Sequence, residues 1–270
     1  MPVIIDKTKL GIALFDESFG GVYRGRQVLC SGRNGSGKSI FAYHFLNQAL
    51  LDGDKALLLS NYRAQDTVIV AESLGLTFSE AVTSGQLTIL EYASFIPESN
   101  ASANVMLPPQ SFMELQDTVE SKSIRRIAFD TVLPWVAIHP LDRLTEHVYS
   151  FIHALDRLSV TSLLTLPKPV SNPAYTLKSR LEDLCPVVVN LDFTDGNNRV
   201  MRVTKYLGEI QKLSTPFSFA IAPGHGIVAD KAGGVGHPQQ PPAPQPETPQ
   251  QQTPRAQKPI QFSSVIRFPE

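Results

Sequence analysis

Apolar and polar positions change period several times along the chain, and each change predicts an element. RQVLCS, residues 26–31, reads as a strand, and KSIFAYHFLNQALLDG, 38–53, reads as a helix, with Phe41, Phe45 and Leu46 near helical spacing and Gly53 as its stop. KALLLS (55–60) predicts a second strand and TVIVAESLGL (67–76) a second helix. Then follow QLTILEY (86–92), a helix near 111–121, RIAFD (126–130), an amphipathic helix from Leu141 to Leu158, and VTSLLTL (160–166). Strands separated by helices predict an α/β fold with a doubly wound, mostly parallel sheet. The last part differs: VVVNLDF (187–193) and RVMRVTKYL (199–207) flank TDGNN, so Asp195 and Gly196 predict a β-hairpin turn.

Composition breaks after this body. Of the 28 residues from Ala232 to Pro259, eight are Pro and seven are Gln. A segment so poor in apolar side chains cannot offset the entropy of ordering, which predicts a disordered tail. Beyond it, Ile260, Phe262, Val265, Ile266 and Phe268 restore apolar content. The expected organisation is a globular domain over 1–230, a linker over 231–259 and a docking segment for a protein partner over 260–270. A proline-rich spacer reaches up to about 3.1 Å per residue, so such a segment could contact a target well away from its parent domain.

Charge narrows the function classes. Lys plus Arg (24) nearly balances Asp plus Glu (25), so no global field draws the chain to nucleic acid or anionic lipid. Cys30 and Cys185 are far apart, a spacing that argues against a zinc site or a disulfide framework and for a reducing compartment. The N-terminus lacks a basic and apolar leader, and no apolar run reaches membrane-spanning length, so the expected location is cytoplasmic with no membrane partner.

The chemistry is concentrated in GRNGSGKS: Gly32, Arg33, Asn34, Gly35, Ser36, Gly37, Lys38 and Ser39. Glycines between a strand and a helix let backbone N–H groups and the helix N-terminus wrap phosphates; Lys38 would neutralise β- and γ-oxygens, and the Ser39 hydroxyl would bind Mg2+. ATP or ADP with Mg2+ is therefore the expected ligand. The metal also needs a carboxylate at the end of an apolar strand, for which Asp130 is the candidate and Asp192 the rival.

LGIALFDESFGGVYRGRQVLCSGRNGSGKS (10–39), DGDKALLLS (52–60), AESLGLTFSEAVTSGQLTILEY (71–92) and PFSFAIAPGHGIVA (216–229) together resemble the KaiC-like branch of the RecA superfamily of P-loop ATPases. The likeness covers residue 10 to about 230. It implies a RecA-like core and a homo-oligomer, such as a hexameric ring, or a hetero-oligomer with a related subunit, with ATP held between neighbours. It also implies a pair of glutamates after the second strand, one acting as general base; Asn61, Tyr62 and Arg63 stand there instead, and Asp66 is the nearest carboxylate. Positioned general-base catalysis contributes roughly 10²- to 10⁴-fold in rate, so the loop can bind nucleotide while hydrolysis is slow. Asp66 and Thr165 are the alternative groups for positioning water. The family's Lys-x-Arg pair, which reaches into the neighbouring site, is represented by Lys205, with Leu207 in place of the arginine; the alternative for Lys205 is a solvated lysine on a hairpin edge.

The expected function is a hydrolysis-poor regulatory or assembly module controlled by nucleotide occupancy. A slow ATPase and a DNA-binding recombination accessory are the alternatives. For the last, Lys168, Lys178, Arg180 and Tyr175 make a thin nucleic-acid surface. His147 and His153, six apart, do not share a helix face, and Trp135 is a candidate for either a partner contact or the core.

Overall fold

A computed structural model describes residues 6–91, 109–136, 143–194 and 197–230. These lie in one compact unit, Met1–Gly233. The expected linker, the docking segment and the turn residues Asp195 and Gly196 lie outside the described residues.

A short ribbon pairs β1 (Lys7–Thr8) with β2 (Val22–Tyr23) around α1 (Ala13–Phe19). Then come β3 (Gln27–Gly32), α2 (Lys38–Leu51), β4 (Lys55–Ser60), α3 (Ala64–Ser73), α4 (Phe78–Thr83) and β5 (Leu87–Glu91). They are followed by α5 (Pro109–Lys122), β6 (Ile124–Asp130), α6 (Leu133–Val136), α7 (Leu144–Leu158) and β7 (Thr161–Pro167). The described chain ends with α8 (Asn172–Leu184), β8 (Val187–Phe193), β9 (Arg199–Tyr206), β10 (Phe217–Ala222) and β11 (Gly226–Ala229).

Among the described residues, nine strands form one sheet in the order β11-β10-β9-β8-β3-β7-β6-β4-β5. From β8 to β5 all neighbours are parallel, and β9, β10 and β11 extend the sheet by antiparallel pairing. The expected doubly wound sheet with a C-terminal hairpin is what forms. β3 is buried at every position because helices cover both faces of a parallel sheet, which is why its sequence shows no alternation.

Two apolar layers sandwich the sheet. On one side α1, α2 and α4 bring Phe15, Phe41, Phe45 and Phe78 against Leu58 and Val189. On the other, α5, α7 and α8 bring Leu115, Leu155 and Leu181 against Leu57, Phe129 and Leu164. In α7, Leu144, Val148, Phe151, Ile152 and Leu155 are buried at helical spacing. Trp135 belongs to this second layer, its ring 5.5 Å from Phe129 and edge-on to it, so its role is in the core.

Two elements depart from the expected pattern. The stretch 67–76 is not one helix: α3 begins earlier, at Ala64, and stops at Ser73, before Gly75 with its positive φ of 76°. The Pro-rich stretch after β7, for which the pattern predicts no element, forms α8 from Asn172. Pro173 falls in the first turn, where no intrahelical N–H is needed, and Leu177 and Leu181 bury one face four residues apart.

Candidate functional site

The C-terminal ends of the parallel strands are where an α/β sheet places its ligands. Here they frame a cavity of about 580 Å3, lined by residues from the loop after β3, the turn after β4, the end of β6 and the antiparallel extension.

The loop after β3 is built for close approach. A side-chain methyl at Gly32 would stand 2.2 Å from the Leu191 carbonyl oxygen and 2.7 Å from Ser36 Oγ, so only glycine fits. Gly37 has φ 104° and forms the entry to α2, where the helix N-terminus carries unpaired N–H groups and the positive end of its dipole. Lys38 folds back over the loop, its Nζ donating to the carbonyls of Gly32 (3.0 Å) and Arg33 (2.8 Å). Burial lowers the Lys38 pKa, opposed by nearby Cys30 and Asp130. Phosphate oxygens would replace two neutral carbonyls as its acceptors and favour its charged form.

Asp130 ends β6 at the cavity floor. Its Oδ1 accepts a 2.8 Å hydrogen bond from Thr165 Oγ1 of β7, while its Oδ2 is buried without a hydrogen-bond partner. Such an oxygen is costly unless a ligand satisfies it. Ser39 lines the same cavity. A hydroxyl, an orphaned carboxylate oxygen and a phosphate cradle fit a hard, oxygen-seeking divalent cation bound with a polyphosphate. Thr165, which also lines the cavity, thus gives its one hydroxyl proton to Asp130. Asp192 lies elsewhere: Phe193 N–H donates to it at 3.0 Å, Arg33 Nε is 3.0 Å away and Lys168 Nζ 3.6 Å. Desolvation raises the Asp192 pKa, but the Phe193 N–H and the two cations outweigh it and hold the carboxylate below its ordinary value.

The turn after β4 forms the opposite wall. Asn61 and Tyr62 both line the cavity. Asn61 N–H donates to the Asp130 carbonyl (3.2 Å) and Tyr62 N–H to Ser60 Oγ (3.0 Å), which fixes the turn against β6. Glu91, at the end of β5, accepts the Ala64 N–H at 2.8 Å and so anchors the start of α3. Asp66 is on the exposed first turn of α3 and is not among the lining residues. Among those lining residues, Asp130 is the one carboxylate.

The antiparallel extension contributes residues the motif gave no hint of. Arg199 opens β9, its guanidinium 5.5 Å from the Phe193 ring and within 3.4 Å of the Gly35 carbonyl. Ile221 of β10 rests near Gly37, where an added methyl would be 3.1 Å from its Cδ1. The hairpin that carries Ile221 is tied to α2 by His44, whose Nε2 accepts the Ile227 N–H at 2.8 Å.

The family pattern described as "ATPase: KaiC" matches residues 8–232. The chain belongs to the KaiC-type ATPase family. Among its relatives are the circadian clock oscillator protein KaiC of Prochlorococcus marinus (strain MIT 9313), 23% identical over 83% of this chain and 46% of the relative, and a UPF0273 protein of Aeropyrum pernix, 25% identical over 74% of this chain and 83% of the relative. The chain spans about half the length of the KaiC relatives it matches. A crystal structure of a KaiC-like protein from Pyrococcus horikoshii OT3 shares the fold, with a TM-score of 0.69, 23% identity, and coverage of 84% of this chain and all of that one. Within this KaiC-type frame Lys205 is on β9, at the end of the strands opposite the cavity. It pairs with Val188 near the start of β8, and its Nζ donates to the Glu182 and Asp183 carbonyls at 2.8 Å each.

The cations suggested for nucleic acid each face a carboxylate: Lys168 with Asp192, Lys178 with Glu182, and Arg180 with Asp183 at 3.7 Å. His147 Nε2 is 2.8 Å from the Trp135 carbonyl, which makes it a packing residue, whereas His153 is exposed with its ring tilted against Tyr149, a surface residue. No helix among the described residues is long and apolar enough to cross a membrane.

Proposed function

We propose that this chain binds ATP with Mg2+ in the cavity between the Gly32–Ser39 loop and Asp130, hydrolyses it poorly, and uses nucleotide occupancy to control association with further copies. The observation that carries the reading is the asymmetry of the cavity wall. Lys38, Ser39 and Asp130 provide for a triphosphate and its metal, whereas Asn61 and Tyr62 give no carboxylate to take a proton from attacking water. The bound metal would draw charge from the phosphates and order them; Lys38 and the loop N–H groups would bind and orient.

The placement of surfaces supports the proposed association. The cavity opens at the C-terminal ends of the strands, and Lys205 marks the opposite edge. A head-to-tail contact can bring Lys205 of one copy to the nucleotide of the next, a heterologous arrangement that closes as a ring or extends as a filament. Exposed apolar side chains support it: Leu207 (60% exposed) and Ile210 (85%) at one edge, and Tyr62 (57%) at the mouth of the cavity.

The test measures ATP binding, released phosphate and particle mass in one sample of the full chain with and without Mg-ATP. Tight binding, slow phosphate release and a mass increase are expected. Rapid hydrolysis rejects the first part of the proposal, and an unchanged mass rejects the second.

A further inference from the structure

Pairing of β10 with β9 stops at Phe219 opposite Arg199, the first residue of β9, whereas pairing with β11 continues to Ala222 opposite Gly226. The β10–β11 hairpin therefore projects past β9, where it meets both walls of the nucleotide cavity. On one side Ile221 rests at Gly37 of the phosphate loop. On the other, its turn is fixed to the end of α3, the helix that continues from the Asn61–Tyr62 turn. There Gly224 N–H donates to the Ser73 carbonyl at 2.8 Å, and a methyl on Gly75 would be 2.3 Å from the Gly224 carbonyl oxygen.

His44 ties this hairpin to α2, the helix that begins with Lys38 and Ser39. The residue is 8% exposed, its Nε2 accepts the Ile227 N–H at 2.8 Å, and a methyl on Gly226 would be 2.1 Å from the same nitrogen. A neutral imidazole has one acceptor nitrogen, here used on Ile227, and an imidazolium has none. Proton uptake thus sets two donors against each other at a contact with no spare room. The titratable groups on the segments packed against the ring are Lys9 and Asp16 around α1, His225 and Asp230 of the hairpin, and Lys38 and Tyr43 of α2. Asp16 spends its carboxylate on the Leu10 and Gly11 N–H groups at 2.8 and 2.9 Å, and His225 is exposed with Nδ1 3.0 Å from the Pro223 carbonyl. Burial lowers the His44 pKa, and a hydrogen bond with the Gly11 backbone opposes the shift.

We propose that the β10–β11 hairpin clamps the two walls of the nucleotide cavity and that proton uptake by His44 releases it, lowering ATP affinity. The proposal rests on the ATP-binding reading above and adds its regulation. Because the clamped state resists the proton, the clamp is full above about pH 6.5 and weakens, by up to about tenfold per pH unit, as pH falls from there.

The test uses the full chain and Mg-ATP between pH 7.5 and 5.5. The ATP affinity of the unmodified chain divided by that of His44→Gln cancels the titration of the nucleotide and of His225; this ratio should hold steady down to about pH 6.5 and fall about three- to tenfold by pH 5.5. Amide exchange, corrected for its intrinsic pH dependence, gives a second readout that needs no variant. Protection of the Ile227 amide should fall over the same interval while that of Leu29, in the centre of β3, does not, and saturating Mg-ATP at pH 5.5 should restore it, since binding and release are coupled reciprocally. A flat affinity ratio overturns the proposal. So does Ile227 protection that ATP leaves unchanged at pH 5.5, because the hairpin then opens without reference to the cavity. If the unmodified chain does not bind ATP at pH 7.5, the ATP-binding reading itself falls.

Discussion

The two walls of the nucleotide cavity differ in what they offer a phosphate. The loop after β3 has the glycines, lysine and serine of a phosphate cradle, packed so closely that Gly32 has no room for a methyl. Across the cavity, the turn after β4 keeps the backbone anchoring, through Asn61 to Asp130 and Ala64 to Glu91, but presents an amide and a phenol to the ligand. On the proposed reading, holding a nucleotide and cleaving it depend on separate pieces of chain.

The sharpest way to break this division is to supply the missing acids. Asn61→Glu combined with Tyr62→Glu should raise phosphate release by about 100-fold or more if only the base is absent, with ATP affinity changed far less. Turnover that stays flat despite normal binding would show that the cradle side is also incompetent. From the other wall, Lys38→Ala removes a charged donor worth about 1.5 to 3 kcal/mol for each phosphate hydrogen bond, so ATP affinity should fall about 100-fold in calorimetric titration. Secondary structure should be unchanged, because its present acceptors are two loop carbonyls.

A smaller effect is expected at Arg199. It is half-buried at the rim beside Gly35, and Arg199→Ala should weaken nucleotide binding only a few-fold, as for other partly solvated charges. A loss as large as that of Lys38→Ala would make Arg199 part of the cradle.

The smallest effect is a pH slope. Burial holds the His44 imidazole below its ordinary pKa, partly offset by a hydrogen bond with the Gly11 backbone. The unfolded chain therefore takes up this proton first. Stability should be full above the ordinary histidine pKa of about 6.5 and decline as pH falls from there through the lower folded value, because protonated Nε2 can no longer accept the Ile227 N–H. Thermal unfolding across pH 7.5 to 5 should show this slope flattened in His44→Gln, which keeps an acceptor that does not titrate. An identical slope in the variant would assign it to other groups.

How much of this could be read beforehand depended on whether the chemistry was contiguous. Gly32–Ser39 is one run of sequence, and Asp130 closes an apolar strand, so both were legible. Arg199 was not: it is brought to Gly35 by β8–β9 pairing across 164 residues, and an arginine at a strand start carries no local signal. Thr165 could be named as a group near the site, but only the pairing of β6 with β7 shows its hydroxyl spent on Asp130. The helix α8 was hidden by prolines that usually mark loops, although Pro173 suits a first turn. The β1–β2 ribbon was hidden by strands of two residues, too short for any period.

β3 runs from one end of the parallel strands to the other. Its six residues span about 20 Å, with Gly32 at one end and Gln27, next to Arg26, at the other. Hydrogen bonds to β7 and β8 brace it along both sides. One braced strand therefore separates the Gly32–Ser39 loop from the turn that carries Arg26, so the two share a single rigid support.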